Sequence, residues 1–376
     1  MEPIIKVTVN GQPLSEEFFS RLVSLEVSDK EGVRSDTCAI QINDSEPFIE
    51  IPRRGAPIGV AIGYDKAESL GDFIVDTVQI DCLPYGLHIG GKAADMRDEL
   101  KAQKNRHFDK KSVKDIVSEV AKDHGLEPVI ADSVGSHVYE WIGQIDESDL
   151  NFVERLAKRQ GALFTIKEGK LIFAEKGAGQ SVSGKSLGGL VITPDMIVIG
   201  TCKAEISDRE SFGKVAAYFQ DSENVQRVEE IFENPLSNSA AIYRLRQSFS
   251  SKEEAKKAAE AKSVELNSQA LTVQVSIVGD PRFRAGCVFI FQGVRPGLDG
   301  IPFVIEEARH TYDKNDGYRV HIRAKVQKGK NESSGDGTGN GTVREAKDKT
   351  GADGTVGTGG TDWSLGWGDN QGDGPE

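Results

Sequence analysis

No dense run of lysine and arginine occurs in these 376 residues, and the formal net charge is −13. A nucleic-acid binder needs clustered cations to neutralise phosphates, so the balance argues against nucleic acid as the main partner. The modest basic stretch at residues 101–106, with Lys110 and Lys111, reads as solvated surface. Cysteine is scarce. Cys38, Cys82, Cys202 and Cys287 are the only four, and none has CxxC or other metal-ligand spacing. That excludes a disulfide scaffold and leaves reduced core thiols as the expectation. No apolar run reaches the roughly 18–20 residues that span a bilayer, so no membrane insertion is expected. The opening MEPIIKVTVN lacks a basic region followed by an apolar stretch, so synthesis and folding in a cytoplasm are expected.

Catalytic signatures are missing as well. The chain has six histidines, and no two have the HxxxH or HExxH spacing that puts both imidazoles on one helix face. There is no GxSxG elbow, no phosphate loop and no GxGxxG after a strand. His310 and His321 sit where they could face each other across a final hairpin, but no third ligand for a catalytic metal is evident. Asp146, Glu147 and Asp149 could supply one member of a glycosidase pair. Their position before an apolar period fits a helix start, where Asp, Glu and Ser favour the positive dipole end. No catalytic residue, cofactor or metal is expected, and the chain reads as a protein that is not an enzyme.

What is present is patterning. Residues 36–43, 57–64, 72–82 and 87–93 alternate apolar and polar side chains, with turns at short intervals, as in an antiparallel barrel or sandwich. Gly59 and Gly63 fall inside one such strand and read as bends. The period then changes. Val113, Ile116, Val117, Val120 and Ala121 share one helix face between Ser112 and Gly125. A second helix is expected from Ser148 to Gln160, closed by Gly161, with a hairpin after it. A Gly/Ser stretch intervenes before strands resume near residue 201. Ser251 and Glu254 have capping-box spacing ahead of an Ala- and Lys-rich helix. Strands at 302–312 and 318–326 flank Lys314-Asn315-Asp316-Gly317, a hairpin signature. The last of these has one apolar and one basic face, which fits solvent, an oligomer interface or a lumen.

The expected fold is mainly β (α+β): a first antiparallel barrel over 1–95, open to completion by later strands, a small α+β module over 96–176, a linker over 177–194, and a second barrel with one helix over 195–328. From 329 to 376, fourteen of 48 residues are glycine, and neither Ile nor Phe occurs. Such a segment cannot bury enough apolar area to offset ordering entropy of about 1–2 kcal/mol per residue, so an extended tail is expected. Within it Trp363, Leu365 and Trp367 alternate, which fits either a tail without structure or a short strand-like motif that docks on a partner.

Three stretches carry a family resemblance: SVKDIVSEVAKDHGLEP (112–128), QIDESDLNFVERLAKRQGALFTIKEGKLIFAEKG (144–177) and FVIEEARHTYDKNDGYRVHIRAKV (303–326). The spacing ESDLxFxxRLAxxxGxxFxxxxGxLxF is the most specific of them. Together they resemble the phage late control protein D family, the tail hub proteins of contractile phages, whose architecture also opens the spike proteins of type VI secretion. The resemblance covers roughly residues 1–328 and leaves the tail outside. It implies two barrels related to the tail tube subunit and a homotrimer in which six barrels form a ring. That ring would join the six-fold tube to the three-fold spike and nucleate tail assembly. The implied partners are the spike protein, the tail tube protein and other baseplate proteins. The implied place is the tail baseplate of a virion or injection particle, assembled in the host cytoplasm. A tail-borne cell-wall-degrading enzyme, or a cell-wall-binding module centred on 112–175, is the alternative.

Overall fold

A computed structural model describes residues 2–14, 16–32, 36–93, 98–167, 169–175, 189–207, 212–221, 226–233, 239–268 and 271–327. Mainly β architecture is observed. Alternation makes the strands as expected: in Thr37–Asn43, Cys38, Ile40 and Ile42 are buried while Thr37 and Ala39 are exposed. The leading strands form an antiparallel ladder in the order Ile4–Val9, Pro57–Gly63, Glu68–Cys82, Tyr85–Ala93, Thr37–Asn43, Leu22–Lys30. The trailing strands follow in the same ladder: Pro302–Asp313, Gly317–Val326, Leu271–Val278, Lys203–Ile206.

The seam between the halves lies at Pro302–Asp313. Its first residues pair with Val288–Phe291. A bulge at Glu306 follows, and from Glu307 onward the strand pairs with Leu22–Lys30. The bulge re-aims one long strand, so that it serves a trailing neighbour at its start and a leading neighbour at its end. The two expected barrels are therefore neighbours in one sheet over one continuous core, and among the described strands no pairing closes either into a barrel. The physical reason is that each half satisfies the other's open edge at this seam.

Gly59 and Gly63 flank a bulge at Val60 and Ala61, and both also permit close packing. A Cβ on Gly63 would lie 2.0 Å from the Lys66 carbonyl oxygen, and one on Gly59 would lie 2.6 Å from Thr8 Oγ1. Cys38 is a core thiol, which burial pushes up to about 12, but Cys82 is exposed at a hairpin tip. Strand alternation carries Cys82 past the point where the core ends.

Residues 98–175 have a core of their own. Helix Val113–Asp123 begins with a full capping box between Ser112 and Asp115. Helix Asp149–Gln160 begins at Ser148, whose side chain accepts from Asn151 N, and ends at Gly161 in the left-handed conformation (φ 64°). The expected hairpin forms from Ala162–Lys167 and Lys170–Glu175, and Glu127–Ile130 adds to it in parallel. A two-stranded ribbon of Gln103–Ser112 and Val138–Ser148 lies beyond the sequence expectation.

A third piece was expected within the second barrel and is instead a separate sheet. Lys214–Asp221 pairs with Gln226–Glu233 and with Ile242–Phe249, and helix Lys252–Ser268 covers one face. Ser251 caps that helix by accepting from Glu254 N at 3.2 Å. The reciprocal arm of the box reaches one residue further, since the Glu254 carboxylate accepts from Ser250 N.

Candidate functional site

The acidic stretch at 146–149 divides its roles. Ser148 is the cap. Asp146 accepts from Asn105 at 2.8 Å, and Glu147 takes a paired grip from Arg155, the shorter arm being 2.7 Å. Asp149 departs from the capping expectation, because it is fully buried at the centre of a polar cluster. One carboxylate oxygen accepts from Arg106 Nη2 at 2.6 Å and Gln144 Nε2 at 2.9 Å. The other meets Lys104 Nζ at 2.6 Å and His124 Nε2 at 2.7 Å. Burial alone would raise the pKa of this carboxyl. The hydrogen bonds from Lys104, His124 and Gln144, with the Arg106 charge, hold it below the ordinary carboxylate range. An ionised carboxylate only accepts, so His124 Nε2 carries the proton between them.

That geometry is unsuited to acid–base catalysis. A general acid needs a raised pKa and a free path to substrate, whereas Asp149 is held ionised with both oxygens doubly engaged. It ties together both strands of the ribbon, the end of helix Val113–Asp123 and the start of helix Asp149–Gln160. Arg106 and Lys104, expected as solvated surface, turn inward to supply this tie, and Arg106 also lies 5.1 Å over the Phe108 ring.

Ion groups built on the buried carboxylates of Asp29 and Glu254 also join pieces of the chain. Lys167, on the module hairpin, reaches Asp29 and lies 3.4 Å from Asp36 Oδ2, while Asp29 also accepts from Ala285 N. Asp29 lies on the seam strand Leu22–Lys30. Arg159 donates to the buried Glu254 at 2.9 Å and fastens the module to helix Lys252–Ser268.

His310 and His321 do not meet. His310 pairs with Val320 and His321 with Arg309 across the final hairpin, which puts the two rings on opposite faces. His310 donates to or accepts from Tyr318 Oη at 2.8 Å, and burial pushes it down to about 4. His321 meets Ser276 Oγ at 2.7 Å. Among the described residues no group of three or more His, Cys, Asp or Glu converges as a metal site. In the basic face of the last strand, Lys325 is buried against Glu31 and Glu306 while Arg323 is exposed. Trp363, Leu365 and Trp367 lie outside the described residues.

Among the described residues, two groups of exposed apolar side chains stand together, and no motif in the sequence marks either. Trp141 and Ile145 meet over Gly143 on the outer face of the ribbon. Phe48, Ile80, Leu83 and Tyr85 stand exposed at the tip of the hairpin formed by Glu68–Cys82 and Tyr85–Ala93. Their signal would have been alternation that outruns the neighbouring strands.

A site made of joints and surfaces suits assembly, and the comparisons agree. Residues 66–316, more than half of the chain, match the family model described as the phage tail baseplate hub. The chain belongs to the phage tail baseplate hub family. Two curated relatives, each described as a probable baseplate hub protein, come from Escherichia phages 186 and P2. They are 32% identical over 195 residues and 31% over 196. Each alignment takes in 51% of this chain and only 50% of the relative. Among solved structures, the fold is shared with a prophage MuSo2 tail protein of Shewanella oneidensis, at TM-score 0.66 and 16% identity. That likeness covers 86% of this chain and 98% of the other. An Escherichia coli component of the type VI secretion system, similar in structure to T4 tail proteins, matches at TM-score 0.55 and 12% identity, over 86% and 77% of the two chains.

Proposed function

We propose that three copies of this hub protein close into a ring that joins a six-fold tail tube to a three-fold spike and nucleates tail assembly. The role is mechanical, with no reaction catalysed, and its place is the baseplate of a tailed particle assembled in the host cytoplasm. One observation carries the reading: the seam at Pro302–Asp313, where leading and trailing strands join in one ladder. One chain then supplies two β lobes side by side, and three chains supply six. The pairs of Lys167 with Asp29 and of Arg159 with Glu254 hold the module against load, and the Asp149 cluster holds it together internally, because separating a desolvated carboxylate from its cation leaves uncompensated charge. The Trp363, Leu365 and Trp367 motif would dock on a neighbouring baseplate or tube protein.

The test is the mass in solution of the purified chain, alone and with the spike protein of the same particle, followed by imaging of the complex. Three copies per spike trimer, seen as a ring with six β lobes, are expected. A chain that stays monomeric with the spike present overturns the reading.

A further inference from the structure

The main ladder is built from one pattern used twice. In the leading half the chain runs through Leu22–Lys30, Thr37–Asn43, Pro57–Gly63, Glu68–Cys82 and Tyr85–Ala93. In the trailing half it runs through Lys203–Ile206, Leu271–Val278, Val288–Phe291, Pro302–Asp313 and Gly317–Val326. In each half the first strand pairs with the second, the second with the fifth, the fifth with the fourth and the fourth with the third, all antiparallel. The fourth strand is bulged in both halves, at Asp76 and at Glu306. The sheet of Lys214–Asp221 and helix Lys252–Ser268 are an insertion between the first and second strands of the trailing half.

The repeat has one junction inside the chain. Beyond its bulge, the fourth strand of the trailing half pairs with the first strand of the leading half, from Glu307 opposite Lys30 to Asp313 opposite Ser24. The equivalent edges at the two outer ends are open. Among the described residues, Thr77 to Cys82 pair only with Tyr85–Ala93, and Lys203–Ile206 pairs only with Leu271–Val278. Ile80 shares a face with the buried Leu87, its cross-strand partner, yet is 47% exposed. Ile206 lies on the same face as Ala204, which pairs with the buried Val273, yet is 66% exposed. Each open edge therefore carries core-side apolar residues that lack the neighbouring strand.

We propose that residues 77–82 of one copy pair antiparallel with residues 202–207 of the next, repeating between chains the junction that Pro302–Asp313 makes with Leu22–Lys30 within one. This contact presupposes the three-copy ring proposed above. Its register follows from the ladder. Glu26, Ala39, Gly90 and Thr77 form one cross-strand row of the leading half. Lys203, Gln274, Arg323 and Glu307 form the matching row of the trailing half. Lys203 thus corresponds to Glu26, and Thr77 to Glu307. Within the chain Thr311 faces Glu26 and Ala308 faces Asp29, so between chains Asp81 faces Lys203 and Val78 faces Ile206. The same register sets Ile80 against Ala204 and Cys82 against Cys202. Apolar residues meet apolar residues and the carboxylate meets a cation, a match that backbone register alone does not require and that favours the pairing. Contacts of this head-to-tail kind close into a ring when the rotation between copies fits.

The two cysteines supply the test, because directly opposed residues of antiparallel strands lie about 4.5–5.5 Å apart at Cα, a separation that a disulfide spans. The full chain, isotope-labelled and unlabelled copies mixed, is assembled with the spike protein of the same particle and oxidised with copper phenanthroline. Mass spectrometry should find a Cys82–Cys202 peptide that joins a labelled copy to an unlabelled one, and non-reducing gels should show covalent species of up to three chains. Cys82→Ser and Cys202→Ser should each abolish the cross-link. Ile206→Asp should lower its yield about tenfold, since a carboxylate would be buried against Val78. Lys203→Asp should also lower it, and adding Asp81→Lys should restore it. Unchanged melting curves would show that each variant folds. Three copies on the spike with no Cys82–Cys202 cross-link, or with a yield that Ile206→Asp and the charge swap leave unmoved, would overturn this pairing and leave the ring standing. A chain that stays monomeric with the spike present overturns both.

Discussion

At Asp149, a carboxylate with no exposed surface is surrounded by two cations, an imidazole and an amide from three other elements. Removing one partner of such a group costs more than the pair contributes, because the others keep their desolvation without its compensation. Asp149→Ala should therefore lower stability by about 3 kcal/mol, toward the low end for buried ion pairs because Lys104 and Arg106 keep some contact with water. Urea denaturation followed by tryptophan fluorescence checks this, since Trp141 lies on the ribbon that the cluster ties down. A loss below about 1 kcal/mol, the size of one ordinary hydrogen bond, would show that the cluster relaxes without Asp149.

Elements were legible in the sequence where their signal was local. Val113–Asp123 and Asp149–Gln160 were readable because apolar period, cap and terminal glycine all fall within a dozen residues. Gly161 shows how tight that grammar is. It ends its helix at φ 64°, and a Cβ there would sit 3.1 Å from the Ala261 Cβ on helix Lys252–Ser268. Gly161→Ala should cost about 1–2 kcal/mol from the left-handed backbone alone, plus the crowding between helices. A melting temperature within a degree of the parent would contradict it. Strands Gln103–Ser112 and Val138–Ser148 were not readable, because their inward positions include Lys104, Arg106 and Gln144, and charge facing inward erases the alternation. Gln226–Glu233 is rich in glutamate and covered on one face only, so it also lacked a strand signature. At the candidate site the alternation of residues 72–82 was visible, but not the point where the core stops. The exposure of Ile80 depends on where Pro57–Gly63 ends in space, which is a tertiary fact.

Across the whole molecule, contacts sort by sequence distance. The module at 98–175 is built from near neighbours and closes its own core. The main sheet instead depends on partners almost a chain-length apart: Ser28 Oγ donates to Glu307, 279 residues away. Loop closure over that distance must precede any gain from the seam, so the leading strands wait for the trailing ones. Separated pieces should then behave differently. Residues 98–175 expressed alone should give dispersed amide resonances and a cooperative melt. Residues 1–95 alone should not, because Leu22–Lys30 would keep an unpaired edge and half of its core would be missing, a combination that favours aggregation. Supplying residues 190–327 in trans should rescue the soluble fold of 1–95, with exchange protection appearing first along Leu22–Lys30. A fragment 1–95 that folds as a cooperative monomer would mean that the leading lobe completes itself and that the seam is a contact between finished domains rather than a shared sheet.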